Sequence, residues 1–136
     1  MTRRVVLIDD AMDLADHLTF ALRDHGYDVA PSGYTHHVDE LVARTQAVAV
    51  VLGCSTFDMS ESLFDVVRAE PAHAELPVVI ITDAPDDAVA ALRAREARRV
   101  LVVPKPFRAA QVVAALEQLL GPEQALAEPE GEGGAA

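Results

Sequence analysis

The chain alternates between two spacings of apolar residues. Val5–Ile8 is a short apolar run. The next stretch, 11–26, places Leu14, Leu18 and Leu22 at helical intervals and stops at His25-Gly26. Tyr27–Ala30 is a weaker second strand, followed by Pro31-Ser32-Gly33, which reads as a turn. Val38, Leu41 and Val42 predict a short helix, and residues 47–52 (AVAVVL) a third strand. Ser60 or Ser62 is expected to cap a helix carrying Leu63, Val66 and Val67, which stops near Glu70-Pro71. Residues 77–81 (PVVII) predict a fourth strand, Asp83–Asp87 a loop, Val89–Ala97 a helix and 99–103 (RVLVV) a fifth strand. Pro104-Lys105-Pro106 leads into a last helix with Val112, Leu116 and Leu119 facing inward.

Five strand–helix repeats predict an α/β fold with a doubly wound, five-stranded parallel sheet. Strands three to five are almost wholly apolar, as strands covered on both faces must be. Right-handed connections and the strand order 2-1-3-4-5 follow, with ligands expected at the carboxyl ends of strands one and three. The domain is expected over residues 1–120. Residues 121–136 (GPEQALAEPEGEGGAA) contain four glutamates and no basic residue, and are expected to be a disordered acidic tail or a linker.

Composition narrows the classes. At 136 residues and 51% apolar, the chain suits one globular domain. A net charge of −11 disfavours direct contact with nucleic acid. No apolar run is long enough to span a bilayer or to act as a signal peptide, and the single cysteine, Cys54, cannot form an internal disulfide. These features point to the cytoplasm.

The predicted topology gathers Asp9, Asp10, Thr82 and Lys105 on one rim, with Gly53, Cys54 and Ser55 after strand three. The bland reading of Asp9-Asp10 is a helix start, where aspartates are favoured. Cys54 reads as a small buried residue, and His17, His25, His36, His37 and His73 as surface histidines without metal spacing.

Three stretches in order, LIDD, PVVIIT and KPF, make residues 3–120 resemble the receiver domain of bacterial two-component response regulators. That resemblance implies that Asp9 and Asp10 correspond to a Mg²⁺-holding acidic pair. It implies that Thr82 and Lys105 correspond to phosphoryl contacts, and that Lys105-Pro106 is a cis bond. The family's phosphoacceptor aspartate falls at Leu52 or Gly53, neither of which can be phosphorylated. Its switch aromatic falls on Val102 or an apolar neighbour. Asp58, Ser55 or Cys54 is the alternative acceptor. With one carboxylate missing, Lys105 is expected to pair directly with Asp9 or Asp10.

The VLGCS strand end further resembles the N-terminal domain of FleQ-type flagellar regulators, which are sigma-54-dependent activators. The resulting expectation is a pseudo-receiver that is not an enzyme and needs no cofactor, metal or small-molecule ligand. It would act by homodimerisation and by contact with an effector domain or partner protein, in transcriptional control. Arg93, Arg95, Arg98 and Arg99 are candidates for the dimer surface, facing carboxylates of a second copy. The competing expectation is a true phosphoryl acceptor using a non-standard residue.

Overall fold

The computed structural model of the chain describes residues 3–121. The expected tail, 121–136, lies outside the described residues apart from Gly121. Five strands, β1 (Arg3–Ile8), β2 (Tyr27–Ser32), β3 (Ala49–Leu52), β4 (Val78–Thr82) and β5 (Val100–Pro104), alternate with five helices. The helices are α1 (Met12–Asp24), α2 (Val38–Thr45), α3 (Phe57–Ala69), α4 (Pro85–Ala94) and α5 (Ala109–Leu120). All strand pairs are parallel, in the order β2-β1-β3-β4-β5, as the repeat pattern predicts.

Alternation along the strands divides the interior in two. Val5, Leu7, Val51, Val79 and Ile81 point to the side covered by α1 and α5, where Leu18, Leu22, Val112 and Leu116 meet them. Val6, Ile8, Val50, Leu52 and Ile80 point the other way, against Val38, Leu63, Phe64, Val67 and Leu92 of α2, α3 and α4. Covering both faces explains why β1, β3 and β4 read as unbroken apolar runs. Each such Leu, Ile or Val side chain contributes about 1.5–3 kcal/mol on burial.

Several boundaries differ from the pattern reading. Pro31 and Ser32 lie within β2 rather than in a turn. β2 is an edge strand, where a residue without an N–H is tolerated. Neither Ser60 nor Ser62 caps α3. Thr56 does, its hydroxyl accepting the Met59 N–H at 3.3 Å, while Ser60 is fully buried inside the helix. α4 begins at Pro85, within the expected loop, because proline suits the first helical position. A 3-10 turn, Pro71–His73, follows α3.

Helix ends carry a consistent charge pattern. The first turns hold Asp13 in α1, Asp39 and Glu40 in α2, Asp58 in α3, and Asp86 and Asp87 in α4. The last turns of the same helices hold Arg23, Arg44, Arg68 and Arg93. Each placement complements the helix dipole.

Candidate functional site

Where β1 ends, the chain turns into α1 through two carboxylates with different partners. Asp9 is 4% exposed, and its Oδ1 accepts the Ala11 N–H at 2.7 Å, so it does help to start α1. Burial raises its pKa above the ordinary value; the Ala11 N–H opposes this, neighbouring Asp10 adds to it, and Lys105 opposes it. Asp10 is exposed, and its Oδ1 accepts the Ser55 N–H at 2.8 Å. Its pKa is lowered, first by the Ser55 side chain beside it, against a smaller effect of burial and with help from backbone N–H groups and Lys105.

Beside these acids, β3 ends at Leu52, which lies in the core with no exposure. Gly53 is the first residue of β3's exit to reach the rim. Its N–H donates to the Ile8 carbonyl at 2.8 Å. A Cβ placed on Gly53 would lie 3.0 Å from Asp9 Oδ2. Of the two positions that the resemblance aligns with an acceptor, Leu52 is buried in the core beside Ile8 and Gly53 lies against Asp9.

The other rim residues converge as expected, with one change of partner. Thr82, 2% exposed, accepts the Ala84 N–H on its hydroxyl at 3.0 Å and so starts the turn into α4. The Lys105 N–H donates to the Thr82 carbonyl at 2.8 Å, and the Lys105–Pro106 peptide is cis. The Lys105 ammonium does not form the expected ion pair with Asp9 or Asp10. It donates to the Cys54 carbonyl at 3.2 Å. Cys54 has left the strand, so its carbonyl has no sheet partner and takes the nearest cation. The Asp10–Ser55 and Lys105–Cys54 bonds thus hold the segment after Gly53 across the mouth of the rim.

Chemically, this rim offers the carboxylate oxygens of Asp9 and Asp10 and the hydroxyl of Thr82. A hard cation takes six or more oxygens, and the described residues contain no group of three His, Cys, Asp or Glu placed to hold a metal. Cys54 is 1% exposed, and burial raises its thiol pKa; a nearby Ser60 hydroxyl works against this, and Asp10 and Asp9 add to it. Asp58 is exposed in the first turn of α3. On β5, Val102 occupies the position expected for the aromatic and is partly buried against α4.

Most of the arginine cluster is engaged within the chain. Arg95 is committed within the chain: Nε and Nη2 fork onto Asp65 at 2.8 and 2.9 Å, and Nη2 reaches Glu61 at 2.8 Å. Arg98 pairs with Glu75, and Arg99 Nε donates to the Glu75 carbonyl. Of the four arginines expected to face a second copy, Arg93 alone makes no ion pair or side-chain hydrogen bond among the described residues. The acids that capture Arg95 are four apart on α3, a spacing visible in the sequence that puts them on one helix face.

No protein-family model matches the chain, and no curated protein matches it. Solved structures do. A sensor protein from Polaromonas sp. JS666 is 18% identical, with 87% of this chain and 95% of that one covered and a TM-score of 0.77. The receiver domain of a sensor histidine kinase from Pseudomonas aeruginosa PAO1, with a magnesium ion in its active-site cleft, is 19% identical over 90% and 100% of the two chains, with a TM-score of 0.71. NtrX from Brucella abortus, in complex with ADP, is 26% identical over 88% of this chain and 26% of its own, with a TM-score of 0.70. By architecture and strand order, this chain has the fold of a response-regulator receiver domain.

Proposed function

We propose that this chain is a receiver-fold regulatory domain of two-component type that is not phosphorylated, is not an enzyme, and acts through protein contacts. The observation that carries the reading is Gly53 against Asp9. The rim keeps its acids, hydroxyl and lysine, yet the one position that faces them from β3 has no side chain. Its neighbours in fold include a sensor kinase receiver and a response regulator, which supports a signalling role.

The contact surface we favour is the face of α4 and β5. Val89 is exposed there, and a groove of about 480 Å³ runs along Leu92, Arg93, Ala97, Val100 and Val102. β5 is also an open sheet edge. A second copy or an effector domain would cover this face, with Arg93 as its free cation. Transcriptional control, as the regulatory domain of a sigma-54-type activator, is the finer form of the proposal.

Incubation with acetyl phosphate and Mg²⁺ tests it. The intact mass is expected to stay unchanged, and beryllofluoride is expected to leave the spectrum of the rim amides unaltered. Gain of one phosphoryl group would overturn the reading in favour of an acceptor at Asp58, Ser55 or Cys54. The buried, raised thiol of Cys54 argues against that residue.

A further inference from the structure

At the end of the sheet away from the rim, the last turn of α3, the segment before β4 and the loop from α4 to β5 border an open groove of about 350 Å³. Arg68, Glu75, Arg95 and Arg98 line it, with Ala74 and Ala97 as apolar wall. That volume is within the range of small-molecule sites, about 300–1,000 Å³.

Its three guanidiniums are unequally engaged. Arg95 is saturated by Asp65 and Glu61. Arg98 meets Glu75 at 3.4 Å with side chains 75% and 59% exposed, a pair worth at most about 1 kcal/mol. Arg68 has no carboxylate within ion-pair distance among the described residues. Its Nη atoms donate to the carbonyls of His73, Arg98 and Arg99, and its guanidinium lies 4.9 Å over the Phe64 ring. Burial lowers its pKa, against an opposing effect of Glu75. A half-buried cation balanced mainly by carbonyl dipoles is an attractive place for an anion.

The wall beside it has a fixed, costly shape. Glu96 and Arg99 have φ of 51° and 60°, left-handed backbone that non-glycine residues adopt at about 1 kcal/mol or more each. Bonds from Ala97 N–H to Leu92 and from Val78 N–H to Arg99, together with the Arg68 bonds, hold the loop there. Three acids also face the space. Asp65 is neutralised by Arg95, Glu75 is loosely tied to Arg98, and Glu96 is exposed and can turn to water. An anion at Arg98 therefore has to displace Glu75, with Arg68 left on its carbonyls beside it.

We propose that this groove binds a small phosphorylated molecule, its phosphoryl group on Arg98 beside Arg68 and its apolar body against Ala74 and Ala97. Arg98, held only by its exposed pair with Glu75, can offer a bidentate fork to a phosphoryl group, while Arg68, its Nη atoms already bonded to carbonyls, adds positive charge beside it. The bound molecule would brace the loop that delivers the chain into β5. None of these residues belongs to the rim, so the site stands whether or not the rim accepts a phosphoryl group.

AMP is the probe and adenosine its control, titrated into the full chain while backbone amide resonances are followed. Saturable shifts confined to Ala74, Ala97 and Arg98 are expected, with a midpoint on the order of 1 mM or tighter. Adenosine should bind at least about tenfold more weakly. Arg98→Glu, at an exposed side chain, should keep the melting temperature and weaken AMP at least about tenfold, with partial recovery in Arg98→Lys. Absence of saturable shifts up to about 10 mM AMP, equal binding of adenosine, or AMP binding unchanged in Arg98→Glu would each overturn the proposal.

Discussion

Asp9 Oδ2 faces Gly53 across a gap that one added carbon would narrow to 3.0 Å. An aspartate at that position would bring a third carboxylate against two that already differ in charge preference. Gly53→Asp should therefore lower stability in EDTA by about 1–3 kcal/mol through repulsion and the displacement of Asp9. Mg²⁺ should restore it, raising the melting temperature by several degrees more than in the natural chain. Thermal melts of both proteins in EDTA and in Mg²⁺ check this. Equal responses to Mg²⁺ would show that Gly53 is not what limits cation binding.

A second prediction concerns pH. Burial raises the Asp9 pKa, so its ionised form is disfavoured in the folded chain relative to the unfolded one. The penalty is present above the folded pKa and fades as pH falls toward the unfolded value of 3.8. Asp10, with a lowered pKa, acts in the opposite sense: its stabilisation is present above 3.8 and is lost as pH falls through its folded pKa. Asp9→Asn keeps an acceptor for the Ala11 N–H and removes the charge. It should raise stability at pH 7 and shrink that gain as pH drops toward 4, measured by urea denaturation across pH.

Arg95 is a test of rigidity. Its fork onto Asp65 and Glu61 ties the end of α4 to α3. Arg95→Ala should cost about 0.5–1.5 kcal/mol and speed amide exchange in α4 well beyond that in α1. If exchange rises equally in both helices, the fork does not specifically restrain α4.

The start of α3 supplies a paired comparison. Thr56→Ala removes the cap and should cost about 1 kcal/mol. The Ser60 hydroxyl is buried and makes no hydrogen bond of regular geometry, so Ser60→Ala should be near neutral or stabilising. Urea midpoints of the two variants decide which residue caps the helix.

Much of this was readable in the sequence, and the failures have physical causes. The buried strands announced themselves because both faces of the sheet are covered, so no polar position interrupts VAVVL or VVII. The rim followed from topology, since parallel strands bring their carboxyl ends together. The cap of α3 was misplaced because three hydroxyl residues lie within seven positions, and only the bond to Met59 N–H distinguishes Thr56. Pro31 suggested a turn because a sequence does not reveal that its strand lies at the edge. The intrachain pairs of Arg95 and Arg98 were not legible because their partners, Glu61, Asp65 and Glu75, come from elements remote in sequence. Lys105 found a carbonyl rather than an acid because the path of the backbone after Gly53 is set by tertiary structure.

The charges at the helix ends have a consequence for the domain as a whole. Parallel strands force α1 to α4 to run the same way, so acids gathered at one end and arginines at the other do not cancel but add. The end charges of these four helices therefore line up along the sheet. At low ionic strength they would bias the approach of a charged partner, a basic surface toward the aspartate end and an acidic one toward the arginine end.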